Sequence, residues 1–243
     1  MPAVSPGTTG LVSWWSLDEA SGDRADSHGS NHLSPIAAPG NATGKVGSGV
    51  DLEASSSQYL TIAAAAQTGL GSAGSFSFGA WYQVESTGTR FVASKRSIGA
   101  AEFTITTSNE ATPACYFYLS PGFSPHVISA AFPVGSWVFL VVGYNSATGQ
   151  SCVSVNGAAP NTATRTFGGL ATAAFSIGYD LSGGAARWDG VIDEAFYYTR
   201  WLSDDELSWL YNSGSGRAYS SLAASAKGLP IIAHHHHAVF GGG

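Results

Sequence analysis

Charge is what this sequence has least of. Asp, Glu, Lys and Arg make up 11% of its 243 residues, against about 25% in ordinary soluble domains. Only 10 residues are Lys or Arg, they form no cluster, and the formal net charge is −6. That balance argues against a nucleic-acid partner held through phosphate neutralisation, and equally against an anionic membrane surface. No apolar run approaches the ~20 residues needed to span a bilayer as a helix. The opening MPAVSPGTTG has neither the basic region nor the apolar stretch of a signal peptide, so export by the general secretory route is not expected. Cysteine is almost missing too. Cys115 and Cys152 lie 37 positions apart (152 minus 115) with no CxxC or Cys/His array. A zinc site of ordinary spacing is thereby excluded, and two buried thiols are expected ahead of a disulfide. The sequon Asn41-Ala42-Thr43 is expected to stay unglycosylated without an export signal.

What the chain has instead is glycine and aromatic rings: 31 Gly, and 12% Phe, Trp and Tyr. Glycine at roughly twice its usual share, with abundant rings, suits short strands joined by tight turns. Alternation of large and small side chains dominates. Strands are expected at Leu11 to Leu17, Gln58 to Ile62, Phe76 to Tyr82, Arg90 to Ser94, Phe103 to Thr107, Cys115 to Leu119 and Val127 to Ala131. Trp137 to Tyr144 is apolar almost throughout, as in a central strand covered on both faces. Ser151 to Val155 returns from it into Asn156-Gly157, a strong turn signal, and Phe175 to Gly178 and Gly190 to Tyr198 follow. Strands at this spacing describe one all-β antiparallel sandwich.

One helix is expected. Ser203-Asp204-Asp205-Glu206 is a capping box, Leu202 and Leu207 form the hydrophobic staple around it, and Gly214 closes the helix. After Tyr219 the composition shifts to small and polar residues, then to Gly228 through Ala233, four histidines and Ala238 to Gly243. Residues 1–219 therefore read as the domain and 220–243 as an extended tail. Leu229, Ile231, Ile232, Val239 and Phe240, flanking His234 to His237, suit a docking segment that engages a partner's sheet edge or groove.

Several of these stretches resemble the laminin G-like, concanavalin A-like jelly rolls. Phe76-Ser77-Phe78-Gly79-Ala80-Trp81 is similar to that family's FSFGAW strand. Trp137 through Tyr144 with the hairpin to Val155-Asn156-Gly157, and Phe175-Ser176-Ile177-Gly178, match further units. Asp189 to Glu194 with Tyr197, Leu202-Ser203, Glu206 and Leu210-Tyr211 resembles its C-terminal signature. The resemblance covers about Gly10 to Tyr219 and implies two antiparallel sheets with the first and last strands adjacent. The opening stretch to Asn31 resembles domains of phage virion proteins. The resemblance thus implies a virion surface protein, made in the host cytoplasm, that decorates a capsid or tail and binds glycans. A carbohydrate-binding or adhesion module of a bacterial surface protein is the alternative, and a glycoside hydrolase a minor one.

Family members often hold one structural Ca²⁺ between the first and last strands. Carried over by position, Asp18 and Asp193, with Asp26 completing an oxygen shell, are the candidate ligands. The same carboxylates could instead accept backbone N–H groups at strand ends. A hydrolase would need paired carboxylates on one face. The nearest approach is Asp189 and Asp193, with Val191 between them and no second Glu after Glu194. For a sugar ligand the requirement is exposed rings beside fixed polar groups. Tyr116, Tyr118, Phe123, His126 and Trp188 are the candidates, Trp188 foremost for its polar, glycine-rich neighbours, with a place in the core or at its rim as the favoured alternative for that ring. Sheet edges leave room for a homo-oligomer.

Overall fold

The structure, a computed structural model, describes residues 3–71, 74–169 and 172–225. Its first strands are β1 (Leu11–Trp15), β2 (Ser34–Ile36), β3 (Gly40–Thr43), β4 (Ser48–Leu52) and β5 (Tyr59–Ile62). The middle of the chain forms β6 (Phe76–Val84), β7 (Thr89–Ser97), β8 (Ala100–Ser108), β9 (Ala114–Leu119) and β10 (His126–Ser129). The remainder forms β11 (Trp137–Asn145), β12 (Gln150–Val155), β13 (Asn161–Thr164), β14 (Phe175–Ile177) and β15 (Gly190–Tyr198). Helices α1 (Asp204–Tyr211) and α2 (Ser220–Ser225) follow.

The strands pair antiparallel into two sheets. One runs β13-β12-β11-β6-β15-β4-β3, with β1 also paired to β15; the other runs β10-β9-β8-β7-β14-β5-β2. First and last strands are thus neighbours, with Trp14 opposite Phe196. Between the sheets lies the main core, built on Phe76, Phe78, Phe103, Phe117, Phe175 and Tyr197. Phe76 stacks on Tyr197 at 5.8 Å and on Phe103 at 5.3 Å, so rings from both sheets interlock.

The strands absent from the sequence reading are β2, β3, β4 and β13. The residues of β2, β3 and β13 are exposed or half-buried throughout, and all three lie at sheet edges. Edge strands need cover on neither face, so no apolar alternation marks them. β7 and β8 also extend beyond the expected limits, to a hairpin that turns at Ile98-Gly99 with Gly99 at φ +81°.

A second core lies on the outer face of the first sheet. Trp14, Trp81, Phe139, Phe196 and Tyr198 meet Leu202, Leu207, Trp209 and Leu210 there, so α1 is the cover of that face. The capping box forms as expected: Glu206 N donates to Ser203 Oγ, and the Glu206 carboxylate accepts from Ser203 N. Closure differs. Asn212, at φ +51°, is the left-handed residue that ends α1, ahead of Gly214. The start of the expected tail also differs, because 220–225 forms α2 and Leu222 is buried in the second core. The docking residues Leu229, Ile231, Ile232, Val239 and Phe240 lie outside the described residues.

Candidate functional site

Strand periodicity creates the site. On β8, Phe103 and Ile105 point into the core, so Thr104 and Thr106 point to the other face, where both are buried at the floor of the groove; on β9, Phe117 and Leu119 go in and the half-buried Tyr116 and Tyr118 out. The register sets Thr106 beside Tyr116 and Thr104 beside Tyr118. A row of hydroxyls therefore runs next to a row of phenol rings. The two tyrosine rings lie parallel within 17° at 6.5 Å, each half-buried. Phe91 on β7 stands opposite Thr106. Beyond β9 the chain turns back, and Phe123, at φ +45°, brings its ring beneath the Arg96 guanidinium at 4.8 Å.

Thr89, Phe91, Arg96, Thr104, Thr106, Tyr118 and Phe123 line a hollow of about 380 Å³. A second hollow of about 430 Å³ continues from Arg96 along the β7–β8 hairpin, lined by Ser97 to Ala101, Ser120 and Ser182. Both fall in the size range of small-ligand sites. Burial raises the Tyr118 hydroxyl above its usual value against the opposing hydrogen bond to Thr106, so it stays a protonated donor.

Arg96 is held from below. Its Nη1 donates to Asp180 Oδ2 at 3.1 Å, the same oxygen accepts from Thr104 Oγ1 at 3.4 Å, and Oδ1 accepts from Ser182 N at 2.9 Å. Asp180 follows Gly178, whose φ of +86° turns the chain under the sheet, where a Cβ would lie 2.6 Å from Leu52. Asp180 is fully buried while the Arg96 side chain stays 35% exposed.

Tyr118 and Phe123 thus meet in the groove, while Tyr116 lies beside Tyr118 and outside the described lining. Trp188 is a correction. It is completely buried, edge-on to Tyr82 at 5.4 Å, and offers no ring face to a ligand. Its glycine-rich neighbourhood lets strands close over it. His126 is a second correction. It is 2% exposed, with Nδ1 3.0 Å from Ser151 Oγ and Nε2 2.9 Å from Asn161 Oδ1, so it ties β10 of one sheet to β12 and β13 of the other. Burial lowers its pKa, Asn161 opposes this, and Arg165 adds to it. Phe91, Arg96, Thr104, Thr106 and Asp180 escaped the sequence reading. The Thr-Tyr alternation on β8 and β9 was visible as a pattern; the Arg96–Asp180 pair, 84 residues apart, was not.

The carboxylates expected to hold calcium have other duties. Asp26 is a correction. Oδ1 accepts from the N–H groups of Trp14, His28 and Gly29, and Oδ2 from Asn31, which leaves it an organiser of its own loop. Asp18 Oδ1 accepts from Ser48 N at 2.8 Å and Asp193 Oδ2 from Val46 N at 2.7 Å, so together they clasp the turn before β4. Among the described residues, Asp193 Oδ1 is buried with no hydrogen-bond partner. Asp18 and Asp193 fit two places in a calcium shell of six to eight oxygens. Burial pushes the Asp193 carboxyl up to about 7, against hydrogen bonds from the backbone of Val46, Lys45 and Glu194 and with the Asp18 charge adding to the rise. Its neighbour Glu194, which accepts from Trp14 Nε1 in the second core, is raised by burial to about 9. Asp189 anchors Ala54 N and the Ser86 hydroxyl. Cys115 and Cys152 are buried free thiols, each pushed by burial to about 12.

Residues 54–208 match the family described as the concanavalin A-like lectin/glucanases superfamily. No curated protein matches the chain. Among solved structures it is similar to domain 4 of AbnA, a GH43 extracellular arabinanase from Geobacillus stearothermophilus, in complex with arabinotriose. There the TM-score is 0.62 at 18% identity, over 86% of this chain and 98% of that one. It is also similar to a structure of botulinum neurotoxin type C, whose cell entry depends on interaction with two ganglioside molecules (TM-score 0.60, 13% identity, 84% of this chain and 51% of that one). A Trypanosoma rangeli sialidase mutant displaying trans-sialidase activity gives 0.61 and 17%, over 89% of this chain and 37% of that one. The chain spans about half or less of the last two. At these identities the likeness shows a shared fold.

Proposed function

The chain belongs to the concanavalin A-like lectin/glucanases superfamily, and from that premise we propose that it is a glycan-binding module whose site is the groove over β7, β8 and β9. The observation that carries this reading is the meeting of Tyr118 and Phe123 with Thr104, Thr106 and the Arg96 guanidinium around one hollow. Sugars present apolar ring faces and hydroxyl edges, and this surface offers rings for the first and donors and acceptors for the second. The arabinanase domain bound to arabinotriose, matched over 98% of its length, supports the reading and supplies a first probe.

Binding is favoured over hydrolysis. Glycoside hydrolysis ordinarily uses two carboxyl groups flanking the scissile bond, and the described lining of both hollows contains neither Asp nor Glu. Asp180 lies beneath that lining, committed to Arg96, Thr104 and Ser182.

Placement on a virion, as a capsid decoration or tail-associated domain, is the finer part of the proposal and rests on the Leu11 to Asn31 stretch. Detection of the chain on purified particles with a specific antibody tests it. A structural calcium ion would be held by Asp18 and Asp193, where it would tie β15 to the turn before β4. The glycan reading is tested by a glycan array probed with the full chain and with Tyr118→Ala and Phe123→Ala. Binding that both substitutions weaken supports the groove; binding that neither affects places the site elsewhere.

A further inference from the structure

The charge arrangement in the groove narrows its ligand, given that the groove is the glycan site. Arg96 lines both hollows and is the one ionisable group of formal charge among their described lining residues. Its charge is already matched. Asp180 is fully buried at 3.1 Å, and both carboxylate oxygens are taken, by Arg96 and Thr104 on one side and Ser182 N on the other. The Arg96 side chain makes no other hydrogen bond among the described residues and lines both hollows, so its remaining N–H groups are available to a ligand there. A ligand carboxylate approaching them would meet the Asp180 charge just behind, in a partly desolvated setting where like charges repel strongly. The chain as a whole, at −6, adds to that repulsion. A sugar hydroxyl meets no such opposition, because it accepts from Arg96 and donates to Thr104 or Thr106 without adding charge.

Size points the same way as charge. Phe91 and Arg96 are five residues apart on β7, about 16 Å at the usual rise of an extended strand. The second hollow continues past Arg96, so the floor exceeds one sugar ring. We infer that the ligand is an uncharged oligosaccharide running along β7, with Arg96, neutralised by Asp180, donating to its hydroxyls at the junction of the two hollows.

The test uses the intact chain and two sets of trisaccharides on one array and by calorimetry: uncharged ones, arabinotriose among them, and uronic-acid ones. Each is measured at low and physiological salt. The expected result is binding confined to uncharged sugars, with affinity changing less than about twofold between the salts. Tighter binding of the uronic-acid set, weakening as salt rises, overturns the inference while leaving the glycan-binding reading intact. No binding of any glycan overturns both. Asp180→Asn removes the matching charge and should bring uronic-acid binding up by about tenfold or more, if it folds. The wild-type comparison decides the matter without it.

Discussion

Arg96 lies on β7 and Asp180 in the loop that follows β14, a strand distant in the chain and adjacent to β7 in the sheet. The register of β7 against β14, with Ser94 opposite Ser176, delivers them to within 3.1 Å. The pair is partly exposed on the arginine side, so its contribution to stability is small. Its value is positional, since it fixes the guanidinium over Phe123. Removing either ring that lines the hollow should therefore affect binding more than folding. Phe123→Ala and Tyr118→Ala are each expected to weaken glycan binding by roughly tenfold, about 1.4 kcal/mol, with little change in Tm. Calorimetry beside thermal unfolding checks this, and a fall in Tm matching the affinity loss would make these rings structural.

Trp188 should behave in the opposite way. It is wholly buried against Tyr82, so Trp188→Ala is expected to cost about 3–5 kcal/mol of stability. Urea unfolding measures it. Unchanged unfolding with lost glycan binding would return Trp188 to the site.

His126→Ala removes a partner from Asn161 Oδ1 and one of two from Ser151 Oγ, which keeps Ala163 O, where the sheets are tied, and about 1–3 kcal/mol should be lost. Glycan affinity of the folded protein should not move, because His126 lies outside the described lining of the groove.

The buried acids make stability depend on pH. Asp193 and Glu194 titrate near 7 and 9 in the fold, above their values of 3.8 and 4.5 in free form. The folded chain thus holds protons that the unfolded chain has released, and stability falls as pH rises through that window. Tm is expected to drop between pH 7 and 9. Glu194→Gln should flatten most of that slope, since the amide oxygen can still accept from Trp14 Nε1. His126, lowered by burial, acts below about pH 6.5 with the opposite sign, so the upper range isolates the acids. A wild-type Tm that stays level from pH 7 to 9 would refute the assignment.

Calcium should compete with the proton at Asp193. If the ion sits there with Asp18, millimolar calcium is expected to raise Tm at pH 8 and less at pH 6, and Asp193→Asn should remove the effect. An equal shift in the variant would place the ion elsewhere.

Alternation in Phe76 to Trp81 and Phe103 to Thr107, the apolar run from Trp137 to Tyr144 and the Ser203–Glu206 box determined locally which segments are strand and which helix. Side-chain period and capping chemistry depend on near neighbours, so they are legible in order along the chain. That much also fixes the facing of Tyr116 and Tyr118, two of the expected contact residues that stay at the surface. The edge strands β2, β3 and β13 carry no period, because pairing with a neighbour, and not burial, is what makes them extended. Burial of Trp188 and His126 was decided only by which strands close over them. The Arg96–Asp180 pair, and with it the charge of the groove, was likewise decided by sheet order, which sets residues 84 positions apart within hydrogen-bond reach.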